Sequence, residues 1–147
     1  MTTPDTPLTA RIRDSFDRQH AMALVRAELT GIEEGRIEIS VPHWTGVEQQ
    51  HGFVHGGVVG MIADSAAGYA AMSVAGDGAT VLTVEYKINL VAPADGDRII
   101  ARGEVVRPGR TLILTQAKVY ALRDGTEHLC ALMQQTIMVM RDRDERG

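Results

Sequence analysis

The sequence predicts an α+β domain in which a curved antiparallel sheet surrounds one central helix. Three observations carry this. From Val58 to Met72 the chain reads as one helical run, almost wholly small or apolar, and a helix that is apolar all round is buried. Two strand-like segments precede it and four follow. Pro108-Gly109 and Asp124-Gly125 separate the last three strands, and tight turns of this kind make antiparallel neighbours. A helix with so little polar surface needs a strongly curved sheet to cover it.

The elements follow in order. Residues 1–7 are polar and proline-containing and are expected to be loosely attached. Leu8, Ile12 and Phe16 then stand at fourfold spacing among charges, which predicts a short amphipathic helix on the core's surface. Residues 24–32 and 36–41 read as a hairpin around Glu33-Glu34-Gly35, the second strand alternating Ile37, Ile39 and Val41 with polar neighbours. Residues 42–54 read as loop, and Gly76-Asp77-Gly78 stops the central helix. Residues 79–91 alternate Leu82, Val84, Tyr86, Ile88 and Leu90 with polar residues, the pattern of a half-buried strand. Residues 98–107, 111–123 and 126–140 are the remaining strands, and 141–147 is a solvated charged tail. The expected organisation is a flexible N-terminus with a short helix over 1–20, a single domain over 21–140, and the tail.

With 147 residues the chain is long enough for one domain with a real core. A formal net charge of −4 argues against a nucleic-acid-binding surface. Cys130 is the only cysteine, so no intramolecular disulfide can form, which fits a reducing, cytoplasmic setting. The N-terminus lacks a basic and apolar leader pattern, and the central run is short and glycine-interrupted for a membrane span. One residue in that run stands out. Asp64 lies in its middle, where a carboxylate is costly unless something pairs with it.

The triplet His55-Gly56-Gly57, the small-residue helix containing Asp64, and the strand entering Leu90-Val91-Ala92-Pro93-Ala94 together resemble the hotdog-fold acyl-CoA thioesterases of the PaaI (phenylacetate-degradation) type. The resemblance spans roughly residues 20–140 in the same element order. It implies a dimer or a dimer of dimers, with acyl-CoA as substrate and no separate cofactor, coenzyme A being part of the substrate. It also implies that the strand over 79–91 pairs across the twofold axis.

Thioester hydrolysis needs a carboxylate base or nucleophile and a donor for the developing oxyanion. Asp64 is the obvious carboxylate. The free N–H groups at the helix start, at Gly56 and Gly57, are the obvious donors, and glycine there lets a carbonyl approach the backbone. Gly56 and Asp64 are eight residues apart, about 12 Å along a helix. Both must nevertheless lie close to one reacting group. Two antiparallel helices across a twofold axis solve this, with Gly56 of one chain facing Asp64 of the other, and symmetry then makes two such sites.

By the resemblance, Asp64 is the general base or nucleophile and Gly56 the oxyanion donor. Gln49 supplies a side-chain amide to the thioester or the water, His55 is the motif histidine, and Thr83 orients the water beside the acid. Gly68 departs from relatives with a Ser or Thr there, which bears on contact to an aromatic acyl group. Competing readings exist for three of these. Asp64 could face solvent or satisfy a buried backbone group, His55 could bond loop backbone, and Gln49 could be a plain loop residue. His51 and His55 stand four apart and could hold a metal with His43, but the glycines between them disfavour a helix and no further ligand pattern supports it, so no metal is expected. Arg107 and Arg110 could bind CoA phosphates or simply decorate a hairpin tip. Cys130 is expected to be buried and inert. Two other functions use this fold by the same resemblance: a hydratase or dehydratase on acyl thioesters, and a non-catalytic acyl-CoA sensor.

Overall fold

The structure, a computed structural model, describes residues 5–141. Most of the expected charged tail and the first residues of the N-terminal segment lie outside them. Helix α1 spans Pro7–Asp17, a short α2 spans His20–Leu24, and the central helix α3 spans Gly56–Val74. The strands are β1 Glu28–Glu33, β2 Arg36–Pro42, β3 Ala79–Leu90, β4 Arg98–Pro108, β5 Leu112–Arg123 and β6 Thr126–Arg141. They form one antiparallel sheet in the order β1-β2-β4-β5-β6-β3. This is the hotdog arrangement, a long helix packed against a six-stranded antiparallel sheet. Register shifts fall between Leu29 and Gly31, Thr83 and Glu85, Val105 and Arg107, and Val119 and Tyr120. Such bulges bend a strand and increase its twist, which is how a sheet curls around a helix.

Helix α3 earns its central place by being thin. Ile62, Ala63, Ala66, Ala67 and Ala70 are fully buried against the sheet. By length and composition α3 could cross a membrane, but most of it is buried as the domain's core helix. Small residues bring backbone against backbone at one point in particular. A Cβ on Gly103 of β4 would lie 2.4 Å from the backbone of Ala66 and Ala67. Glycine inside a strand marks such an approach. Gly103→Ala should therefore cost about 1–3 kcal/mol of stability, the scale of overpacking, and a chemical denaturation midpoint would show it.

Helix α1 is set by a capping box between Thr6 and Thr9 with Pro7 in the first turn. It buries Ile12 and Phe16 in the core, and Arg11 donates to the carbonyls of Met72 and Gly76, covering the C-terminal end of α3. The chain from His20 is helical rather than extended until Leu24, so the first strand begins at Glu28 and not at Leu24 as the sequence suggests. The central helix begins two residues earlier than Val58, at Gly56. At the β5–β6 turn Asp124 and Gly125 both have positive φ, 50° and 77°, the type I′ geometry that this dipeptide favours.

Strand β3 is the largest departure from expectation. Among the described residues it is an edge strand bonded only to β6, and Leu82, Val84, Tyr86 and Leu90 are all exposed. A twelve-residue apolar edge of this kind invites another strand.

Candidate active site

The site residues fall into two groups at different places on α3. The first gathers around Asp64, which is half-buried. The Thr83 hydroxyl of β3 donates to Asp64 Oδ1 at 2.7 Å. Gln135 of β6 points inward and its Nε2 also donates to Asp64 Oδ1 and reaches Thr83 Oγ1 at 3.3 Å. Thr115 of β5, wholly buried, donates to Gln135 Oε1 at 3.0 Å. Among the described residues Asp64 is thus neither bare nor paired with a cation: neutral donors hold it.

Gln135 and Thr115 were missed by the sequence reading. A signal for the first exists. Gln134 and Gln135 are consecutive in a strand, and side chains alternate faces, so one of the two must face the core. Gln135 shares that face with Ala131, Met133, Ile137 and Val139, all buried.

The second group lies at the start of α3. His55 is the N-cap, and its Nδ1 accepts the Gly57 N–H at 2.8 Å, leaving the ring proton on Nε2. A Cβ on Gly57 would stand 3.0 Å from that nitrogen, so a larger residue there would press on the cap. The Gly57 N–H is spoken for, whereas the Gly56 N–H has no acceptor among the described residues. The preceding loop is tied down at several points. His43 bonds Gly96 O and Glu48, Trp44 Nε1 donates to Val25 O, and His55 N donates to Val47 O. Gln49 Oε1 accepts the His51 N–H, leaving its amide nitrogen as the donor it can offer. His43 and His55 are each engaged in the loop in this way, and no group of three or more His, Cys, Asp or Glu among the described residues could hold a metal ion.

Gly56 and Asp64 stand eight residues apart on α3, about 12 Å along its axis, and among the described residues no hydrogen bond joins the two groups. The Asp64 cluster is made by α3, β3 and β6, the donor end by α3 and its leading loop. Arg107 and Arg110 are exposed at the β4–β5 tip. Arg141 bonds both Arg110 O and Ala75 O, which puts this tip at the finishing end of α3, away from Gly56. Cys130 is buried, its Sγ donates to Val119 O at 3.3 Å, and burial pushes the thiol up to about 11.

A cleft of about 610 Å³ opens beside Asp64, running along Gly68 and Met72 between the end of α1 and residues 80–83 of β3. A Cβ at Gly68 would meet nothing within 4 Å. A second cleft, about 680 Å³, lies on the sheet's other face. There Arg102 pairs with Glu38 and Glu127, and the hydrogen bonds from Arg102 hold the Glu127 carboxyl below its usual range. It contains none of the residues with thioester chemistry.

Comparison with known proteins agrees with this fold. Residues 51–128 match the family model of the thioesterase superfamily. The solved structure of a thioesterase family protein from Silicibacter pomeroyi is 46% identical, with a TM-score of 0.89, covering 91% of this chain and 98% of that one. A 1,4-dihydroxy-2-naphthoyl-CoA hydrolase of Listeria monocytogenes is 27% identical over 79% of this chain and 92% of its own. A Saccharolobus solfataricus protein with an esterase name is 29% identical over 60% of this chain, a match spanning 63% of that protein. The Escherichia coli PaaI protein is one structural neighbour among several, at 16% identity and a TM-score of 0.80, covering 90% of this chain and 93% of that one, and shares the fold. More than half of the sequence lies within the matched family region and the fold surrounds a carboxylate in the manner described, so the chain belongs to the thioesterase superfamily.

Proposed function

We propose that this protein hydrolyses an acyl-CoA thioester to the free acid and CoA, at sites shared between two subunits. The observation that carries the reading is the pairing of a donor-held carboxylate, Asp64, with an unengaged backbone donor, Gly56 N–H, on one helix. Asp64 acts as base or nucleophile, and the Gly56 N–H receives the oxyanion. Gln49 offers its amide to the thioester, Thr83 orients the acid or its water, and His55 acts by fixing the helix start. Gly57 serves the site through that cap. Arg107 and Arg110 are offered to the CoA phosphates as guanidinium donors.

The dimer is proposed on β3. Its open apolar edge pairs with the same strand of a second chain across a twofold axis, and the two α3 helices then bring Gly56 of one subunit to Asp64 of the other. The proposed assembly is this dimer or a tetramer of two such dimers. The aryl-CoA named for the Listeria relative makes aromatic acyl groups a natural part of the test. A panel of aryl and aliphatic acyl-CoAs, read by released thiol, should show turnover with at least one class. Binding without thiol release across the panel would replace hydrolysis with acyl-CoA sensing.

The acyl group is placed along the cleft over Gly68. Gly68→Leu should fill that space, lowering kcat/KM about tenfold or more for the bulkiest accepted acyl group and least for the shortest. The fold should tolerate it, since a helix-interior glycine gives way to leucine at a gain of about 0.5–1 kcal/mol. An unchanged acyl profile would move the acyl group elsewhere.

A further inference from the structure

We infer that Gln135 is a positioning residue that dedicates one oxygen of Asp64 to the fold and leaves the other, Oδ2, as the atom that meets the water or thioester. The inference rests on the hydrolytic reading above and adds the inner half of its machinery.

A carboxylate oxygen accepts about two hydrogen bonds in its plane. Asp64 Oδ1 has two donors, the Thr83 hydroxyl and Gln135 Nε2. Among the described residues no donor reaches Oδ2. The carboxylate is therefore held by one edge with the other presented. The hold depends on which way the Gln135 amide points. The carboxylate settles this, because it only accepts and a flipped amide would set Oε1 against it; in the remaining orientation the buried Thr115 hydroxyl donates to Gln135 Oε1 at 3.0 Å and holds the far side of the amide. Gln135 is 1% exposed, and a buried amide is retained at a cost that a purely apolar strand position would avoid. The chain Thr115, Gln135, Asp64 thus runs across β5, β6 and α3 and ends at the proposed reacting atom.

The test uses the full-length protein. Gln135→Met keeps length and removes the donor. It should lower kcat about tenfold to a hundredfold while KM moves less than threefold, because in this reading Gln135 touches Asp64 and not the substrate. Thr115→Val, which reaches the acid only through the amide, should lower kcat in the same direction by a smaller factor. Gln135→Glu supplies a donor only while protonated, so its rate relative to wild type should fall as pH rises. If Gln135→Met does not fold, Thr115→Val and Gln135→Glu decide alone. Wild-type kcat in Thr115→Val, together with a pH-independent ratio in Gln135→Glu, would overturn the inference. If Asp64→Asn itself were fully active, the hydrolytic reading would fall, and not this step alone.

Discussion

Asp64→Asn is expected to lower the rate of thioester hydrolysis by two or more orders of magnitude while leaving acyl-CoA binding intact. Asparagine keeps the shape of the side chain and its Oδ1 can still accept from Thr83 and Gln135, so the local fold has little reason to change. What disappears is the negative charge and the basicity of the second oxygen. General-base catalysis alone is worth about a hundredfold to ten-thousandfold, and loss of a nucleophile is worth at least as much. Steady-state thiol release, paired with calorimetric binding of the same acyl-CoA, separates the two effects. A near wild-type rate would remove Asp64 from the chemistry. Single-turnover hydrolysis in ¹⁸O-water then tests the covalent route: label in the Asp64 carboxylate reports a mixed anhydride opened by water at the Asp64 carbonyl, hydroxylamine trapping reports one opened at the acyl carbonyl, and a water route gives neither.

The acid and the helix were legible because they contradict each other. An apolar helix announces burial, and a carboxylate inside it demands a reason, so Asp64 was visible from α3 alone. The turn at Asp124-Gly125 was equally plain, since few other dipeptides accept two positive φ values. The stretch His20–Leu24 was not. Five residues hold barely more than one helical turn, too little for a period to show, and Leu24 is 75% exposed, so its hydrophobicity misled.

Strand β3 shows a different limit. Its alternation predicts one covered face, and the isolated chain leaves Leu82, Val84, Tyr86 and Leu90 exposed. Sequence pattern records what a surface buries in its working assembly, whereas the single chain records only what that chain covers. The expectation and the structure are reconciled if a second subunit covers this edge. Thr83 reached the candidate list through family resemblance alone, since a threonine in an alternating strand carries no chemical signal until its distance to Asp64 is known. For His55 the sequence left two roles open, and the Nδ1 contact to Gly57 N–H favours the cap.

The proposed shared site predicts a result that a single-chain site cannot imitate. Gln49 belongs to the loop before α3 and Asp64 to its middle, and the proposed twofold arrangement would place them in different subunits of each site. Gln49→Ala should lower turnover about tenfold to a hundredfold, the value of one hydrogen bond at a reacting group, and Asp64→Asn more. A heterodimer carrying one variant in each chain has one site with both changes and one with neither. Purified through two different tags, it should recover about half of wild-type activity per dimer, far above either parent. Thr83 provides the internal control, because it bonds Asp64 within the same chain. A heterodimer of Thr83→Ala with Asp64→Asn has no intact site and should show no such recovery. Equal behaviour of the two heterodimers would place Gln49 and Asp64 in one chain's site, and sedimentation of an active monomer at micromolar concentration would exclude the shared site altogether.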